Sequence, residues 1–475
     1  MAYSKKHVNR ERSPELAAKV KSFIPKNNGV SIVNSIVVRN EGMIKVVNRG
    51  KGLESIYVWT GELMSNREQD QLLILTKEAN KIAEFIEQNH DELEKFEIDR
   101  GEKIIEKLSN YTSSLNILKM ASSINSIRIE LDVLDACPYL LQFYTGVVNL
   151  LTRELLPPAP RYLFTKKIPT IYAPNAECPL WEKTISEIGG GDPNWVSKIQ
   201  RIMGSTLGGE MPEYATFFIG KGQNGKTLCM DILQYILGEF VTILPGTALV
   251  KKRAGAISND QFLMKGKRVA ICPEIAAGST LDELFIKSTT GTRTSTSRAL
   301  YSDFQIVENT AKPITTLNEM PFIKDRSLGT ARRLLLVYFN TSFAGKADIN
   351  LFEKLIKTES SGIANWLIKG YQSFKAKPLE QTDEMKSIIN HYMALGDPIE
   401  TFLNQMIERD PNSSTQTSDL LAAYHHWFNL HPGAIKLTDD MFYKELSARF
   451  PAHKGKRSES IYHGLKLKSF EPTEF

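Results

Sequence analysis

The chain has few of the residues that build disulfide frameworks and metal centres: four cysteines and eight histidines in 475 residues. Cys137, Cys178, Cys229 and Cys272 stand singly, with no C-x-x-C pair and no histidine at zinc spacing, which excludes a disulfide scaffold and a zinc ribbon or finger. Such scattered thiols suit a reducing compartment. Long hydrophobic runs are also missing. No segment approaches the roughly 18 apolar residues that a membrane-spanning helix needs, and the charged start, Met-Ala-Tyr-Ser-Lys-Lys-His, is not followed by the apolar core of a secretory signal. The expectation is a soluble, cytoplasmic protein with no membrane partner. There are no internal repeats and no long low-complexity tracts. Lys and Arg number 59 against 54 Asp and Glu, a formal charge of +5 with a pI near 8.7. That mild excess admits an anionic polymer as partner without requiring one.

What is present is concentrated in Gly220 to Thr227, Gly-Lys-Gly-Gln-Asn-Gly-Lys-Thr, a match to the phosphate-binding pattern G-x-x-x-x-G-K-[ST]. Tyr214 to Ile219, rich in aromatic and β-branched residues, predicts a buried strand before it. Leu228, Ile232, Tyr235 and Ile236 recur at helical spacing after it, and Gly238 supplies a stop. Gly220, Gly222 and Gly225, with Asn224 between them, let successive N–H groups turn inward at a helix N-terminus. Lys226 is then expected on the β and γ phosphates of ATP, and the Thr227 hydroxyl on Mg²⁺. The bland alternative is a glycine turn with a surface lysine.

Hydrolysis needs further groups near that loop. Lys267 to Glu274 reads as an apolar strand ending in a carboxylate, so Glu274 is the candidate for ordering the Mg²⁺ shell and polarising water. A second strand, Ile314 to Leu317, ends in Asn318-Glu-Met-Pro321, where an amide can sense the γ phosphate. Arg332 and Arg333 precede the apolar run Leu334 to Phe339; they fit either a finger toward a neighbouring nucleotide or a salt-bridged pair. Lys287 to Tyr301 mixes cations, hydroxyls and an aromatic around Gly291, which suits DNA phosphate contact and base stacking by Lys287, Arg298 and Tyr301, or simply a solvated loop.

Periodicity and punctuation divide the chain into a loose N-terminal segment (1–65), a helical collar domain (66–194), a nucleotide domain (195–345), a helical linker (346–395) and a last domain (396–475). The last has three helical patterns and then a basic turn, Lys454-Gly-Lys-Arg457, leading into Ile461 to Leu467, as in a winged helix.

Taken together, these motifs resemble the superfamily 3 helicases, in particular the poxvirus and satellite-phage primase-helicases. Asn224 before the last loop glycine is that branch's form, Asn318-Glu-Met-Pro321 is similar to its sensor motif, Lys287 to Tyr301 to its pore hairpin, and Arg332-Arg-Leu334 to its arginine-finger motif. Phe143 to Leu150, Ile168 to Tyr172 and Cys178 to Trp181 resemble the family's pre-motor helical domain; Ala423 to Phe428 and Phe442 to Leu446 resemble its terminal winged helix. The resemblance implies an α/β fold with an AAA+ core, a homo-hexameric ring, ATP and Mg²⁺, and 3′ to 5′ movement on single-stranded and forked DNA. It also implies a phage, satellite or plasmid replication system in a bacterial cytoplasm, with a separate primase or initiator as a further partner. Glu274 is followed by Ile275 where many members carry a second acid, and Asp282 and Glu283 lie further on. The leading 65 residues are too short for a primase domain, so none is expected. An ATP-hydrolysing translocase or loader that opens no duplex, and an initiator in which nucleotide only stabilises the ring, are the competing readings.

Overall fold

The structure, a computed structural model, describes residues 13–50, 52–251, 260–275, 279–297, 305–321, 323, 325, 327–395, 398–430, 437–450, 452–454 and 460–468. The chain forms two compact units, Met1–Ile168 and Pro169–Phe475.

In the first unit, helix α1 (Pro14–Phe23) starts at Ser13, whose hydroxyl accepts from the Leu16 N–H, and α2 (Gly29–Arg39) starts at Asn28, whose Oδ1 accepts from the Ser31 N–H. Strands β1 (Ile44–Asn48), β2 (Glu54–Trp59) and β3 (Met64–Ser65) form an antiparallel meander, and β4 (Arg128–Glu130) joins β1 in parallel. Helices α3 (Glu68–Gln88), α4 (Lys95–Ser109) and α5 (Tyr111–Lys119) pack beside them. Ile32, Ile36, Val46 and Val58 share one core with Leu75, Ile82, Ile104 and Leu118. The described part of the segment expected to be loose, residues 13–50 and 52–65, is therefore ordered. Its short apolar runs are the sheet and the two helices that cover the faces of α3 to α5. A smaller sheet, β5 (Leu140–Phe143), β6 (Gly146–Asn149) and β7 (Leu155–Leu156), closes the unit over Leu140, Val147 and Phe164.

The second unit opens with α6 (Pro179–Ile188) and α7 (Pro193–Ser205). A five-stranded, wholly parallel sheet follows, from β8 (Ala215–Ile219), β9 (Val241–Ile243), β10 (Val269–Cys272), β13 (Lys312–Leu317) and β14 (Leu334–Tyr338), in the order β14-β8-β13-β10-β9. Between these lie α8 (Lys226–Leu237), α9 (Asp260–Leu263), α10 (Glu283–Thr289), the antiparallel hairpin β11 (Thr294–Ser297) and β12 (Gln305–Glu308), and α11 (Leu328–Ala331). Every residue of β8 and β10 is buried, as expected of parallel strands covered on both faces. The outer edge of β14 is closed by side chains. Trp195 Nε1 donates to Tyr338 O at 2.8 Å, Lys198 Nζ to Leu336 O at 3.0 Å and Gln381 Nε2 to Leu334 O at 2.6 Å.

Two expected boundaries move. Helix α6 belongs with the sheet: the Glu359 carboxylate accepts from the N–H groups of Leu180 and Trp181, each at 2.9 Å, satisfying donors at the start of α6. The helix expected within 346–395 is present as α12 (Leu351–Ala376, 26 residues), but it packs on α7 as part of the core, with Leu355, Ile363, Leu367 and Tyr371 buried. Gly204 makes that packing possible, because a Cβ there would lie 2.4 Å from Gly370 C. Helix α13 (Asp383–Leu395) follows.

The chain then forms α14 (Pro398–Met406), β15 (Ile407–Gln416), α15 (Thr417–Leu430), α16 (Asp439–Arg449), β16 (Ala452–Lys454) and β17 (Ser460–Leu467), the strands in the order β15-β17-β16. Ile399, Phe402, Tyr424, Phe442 and Tyr462 make a separate core. The three helices and the hairpin around the basic turn match expectation. Strand β15 was not legible, since Ile-Glu-Arg-Asp-Pro-Asn-Ser-Ser-Thr-Gln carries no alternating apolar face, and its register with β17 shifts between Arg409 and Ser414, where Pro411 sits. Gly455 to Arg457 of the basic turn lie outside the described residues. Among the described residues no helix is long and apolar enough to cross a membrane.

Candidate nucleotide site

Because the five central strands are parallel, their C-terminal ends lie along one sheet edge, and the segments leaving β8, β10 and β13 meet there. β8 leads into Gly220. Gly225 adopts φ +87°, and a Cβ on it would come within 2.5 Å of Ile188 Cδ1, so only glycine turns the chain into α8 at this point. Gly220 lies against the next strand's exit, where a Cβ would be 2.4 Å from Phe339 O. Over Gly222 there is open space. Asn224 is buried: its Nδ2 donates to Phe339 O at 3.1 Å and its Oδ1 accepts from Lys226 Nζ at 3.2 Å. Lys226 Nζ also donates to Gly220 O, so the ammonium lies inside the loop. Phe343 N–H donates to Gln223 O at 2.8 Å, fixing the loop from its other side. This assembly fits a polyphosphate: the loop is held from beneath, its upper side is open, and the Lys226 ammonium sits at the helix N-terminus.

Thr227, the second residue of α8, is exposed at the same end. Glu274 and Asn318 leave neighbouring strands, β10 and β13, and meet: Asn318 Nδ2 donates to Glu274 Oε1. Burial lowers the pKa of Lys226, and the charge of Glu274 acts in the opposite direction, so the carboxylate is felt at the loop. Ile275 is buried in the core. Asp282 caps α10 by accepting from the Leu284 and Phe285 N–H groups, and the buried Glu283 accepts from the Asp325 N–H at 3.0 Å. Both acids are thus committed to structure, and Glu274 is the carboxylate brought to the loop. Among the described residues no three His, Cys, Asp or Glu side chains cluster as a metal cage. A cation here would be shared between Thr227, Glu274, water and phosphate, the usual situation of Mg²⁺.

The two arginines lie elsewhere. Leu334, the first residue of β14, pairs with Ala215, the first residue of β8, so Arg332 and Arg333 stand at the opposite sheet edge from their own phosphate loop. Five strand residues, about 16 Å, separate the two edges. Arg333 is engaged: its Nε donates to Thr290 O at 3.1 Å and its Nη1 to Gly329 O at 2.6 Å. Arg332 is exposed, with no side-chain hydrogen bond among the described residues. Of the expected DNA contacts, Lys287 sits on α10 and its ammonium is held by the Asp325 carboxylate, with Ser327 Oγ at 3.3 Å. Arg298 and Tyr301 fall outside the described residues, between the two strands of the β11–β12 hairpin.

Sequence reasoning missed the anchor under the loop, Phe339 O with Asn224; the amide before the last glycine was its only sign. It also missed two leucines on the arginine side, Leu284 at 77% and Leu328 at 82% exposure. Their helices are too short, at seven and four residues, for a periodicity to mark a face.

Residues 44–190 match the family described as D5 N terminal like. A helicase-named protein of Acanthamoeba polyphaga mimivirus is 26% identical over 355 residues, covering 69% of this chain and 37% of that protein. A helicase-named protein of Frog virus 3 (isolate Goorha) is 25% identical over 248 residues, covering 46% of this chain and 25% of that protein. The chain thus spans between a quarter and two fifths of these relatives, and neither of the two comes from a phage, satellite or plasmid. Two solved structures of the NrS-1 C-terminal region align with TM-scores of 0.43 and 0.38 at 12% and 13% identity, covering 91% and 64% of this chain and 98% and 80% of theirs.

Proposed function

We propose that the chain is a D5-type superfamily 3 helicase, as its family match and its helicase-named relatives support, and that it is an ATP-driven DNA helicase working as a homo-oligomeric ring. The observation that carries the proposal is the meeting of Lys226, Thr227, Glu274 and Asn318 at the C-terminal edge of one parallel sheet. In the proposed reaction Lys226 and the loop amides bind the β and γ phosphates of ATP, and Thr227 with Glu274 holds the hydrated Mg²⁺. Glu274, oriented by Asn318, receives the proton of the attacking water while the bond from the γ phosphorus to the bridging oxygen breaks and ADP leaves.

Arg332 and Arg333 stand on the far edge of the sheet, so a charge that they supply to this displacement would act at another subunit's site. Arg332 is the candidate finger and Arg333 a packing residue, which divides the pair that the sequence left undivided. Leu328 opens α11 and Arg332, four residues on, caps its C-terminus, and Leu284 is exposed on the adjoining α10. Exposed leucines beside an arginine that makes no side-chain hydrogen bond among the described residues suit a heterologous contact with the next subunit's loop. Six such contacts would close the hexamer that the family resemblance implies, with an AAA+ core in each subunit.

Single-stranded DNA is proposed to pass the β11–β12 hairpin, with contacts from Arg298 and Tyr301, which fall between its two strands in sequence. The C-terminal domain is proposed as a winged helix. Helix α16 has three acids, Asp439, Asp440 and Glu445, against two bases, Lys444 and Arg449, so a duplex contact falls to the β16–β17 hairpin rather than to that helix.

Strand displacement on a tailed duplex tests the whole reading. ATP-dependent opening by the wild type and loss of opening in Lys226→Ala, with DNA binding retained, are expected. A ring that hydrolyses ATP in response to single strands yet opens no duplex would replace helicase with translocase.

A further inference from the structure

We infer that Asp325 and Asn309 are positioning residues that tie helix α11, whose C-cap is Arg332, to the β11–β12 hairpin through α10, so that ATP state and hairpin position are set together. The inference rests on the proposed reading and goes beyond it by naming the physical connection. Helices of four and seven residues do not hold themselves together in water, so their partners decide where α11 and α10 sit. Those partners are mutual. The Asp325 carboxylate accepts from Lys287 Nζ on α10, from the Ser327 N–H at 2.9 Å and Oγ at 3.0 Å, and from Thr330 Oγ1 at 2.6 Å on α11. Its own N–H donates to Glu283 at the start of α10. The hydrogen bonds from Lys287 and then Thr330 hold the carboxyl well below the usual carboxylate range, so Asp325 stays ionised at working pH. Arg333, two residues beyond the end of α11, reaches the C-cap of α10 at Thr290 O.

From α10 the connection continues into the hairpin. The buried Asn309, directly after β12, donates to Ser288 O on α10 at 2.8 Å and to Thr292 O at 3.0 Å, and accepts from Ser295 Oγ on β11 at 3.0 Å. On its other side Asp325 lies seven residues beyond Asn318, which holds Glu274. A displacement of Asn318 or of Arg332 must either be carried into α10 and the hairpin or break these bonds. A solvated loop would need none of them.

The test uses the full chain with Asp325→Asn, Asn309→Asp and the double variant. Basal and single-strand-stimulated ATP hydrolysis are measured, together with hydrogen exchange of the 294–297 and 305–308 amides with and without a non-hydrolysable ATP analogue. In the wild type the analogue should change exchange in both strands. Each single variant should keep basal hydrolysis within about twofold, lose about tenfold in stimulation and lose the exchange response, and the double should be no worse than either single, as for one shared connection. Basal and stimulated rates that fall in equal proportion, or additive losses in the double, would assign the two residues to general stability and overturn the inference. A wild type that binds the analogue with unchanged exchange in the hairpin overturns the inference alone; one that binds no nucleotide overturns the ATPase reading as well.

Discussion

If Arg332 serves the next subunit's ATP, removing it should leave its own subunit intact and disable a site elsewhere in the ring. Arg332 is exposed and makes no side-chain hydrogen bond among the described residues, so Arg332→Ala should change stability by no more than about 0.5 kcal/mol. Loss of a finger should slow turnover about 10³–10⁵-fold, roughly 4–7 kcal/mol of barrier. Arg333→Ala should behave in the opposite way. It abandons two carbonyls, Thr290 O and Gly329 O, and should lower stability by about 2–4 kcal/mol, discounted for its half-exposed position. The discriminating assay is co-expression of Arg332→Ala with Lys226→Ala in equal amounts. Each variant alone has no complete site. A mixed ring regains one wherever an Arg332→Ala loop faces a Lys226→Ala arginine, about a quarter of interfaces under random assembly. ATP hydrolysis near a quarter of the wild-type rate is therefore expected. A mixture as inactive as its components would refute action across an interface, and full activity in Arg332→Ala alone would remove the finger altogether.

Leu328→Asp should leave the fold unchanged, because the side chain is 82% exposed, while shifting the ring toward smaller species in sedimentation; an unchanged assembly would show that this leucine is not covered. Glu274→Gln should retain nucleotide binding and lose hydrolysis by about 10²-fold or more, whereas Asn318→Ala, which only releases the carboxylate, should lose less; the reverse order in steady-state rates would invert their roles. Stability should rise with pH from about 7 toward 9. Burial, and then the neighbouring Arg268, pushes Lys312 down to about 7 from 10.5, and burial pushes Lys198 down to about 8, so in this window the unfolded chain binds more protons than the folded one. Near pH 10, as the unfolded lysines also begin to release their protons, the sign turns, because the buried thiols of Cys178 and Cys229 are pushed up to about 12, and that of Cys272 to about 11, and keep protons that the unfolded chain releases. Urea midpoints at pH 7, 9 and 10 check this, and Lys312→Met should flatten the first limb.

The sequence by itself determined whatever is local. A five-residue apolar run, a glycine loop and a helix stop are consecutive, so β8, the phosphate loop and α8 could be read directly, as could the strands ending at Glu274 and Asn318. β10 is buried throughout and reads as an apolar run, whereas β13 carries Thr315 and Thr316 and was marked by Ile314, Leu317 and the Asn-Glu-Met-Pro that follows. Tertiary structure decided whatever depends on a partner distant in sequence. The polar strand β15 exists because β17 pairs with it, and α12 joins the core because glycines on α7 and α12 admit close approach. Only the sheet order placed Arg332 and Arg333 on the edge opposite their own loop, and only the carbonyls of Thr290 and Gly329 separated one arginine from the other. Lys287 illustrates the same limit. Its charge was visible, but Asp325, 38 residues away, occupies it, and pairing between side chains so far apart in sequence is settled when the chain folds.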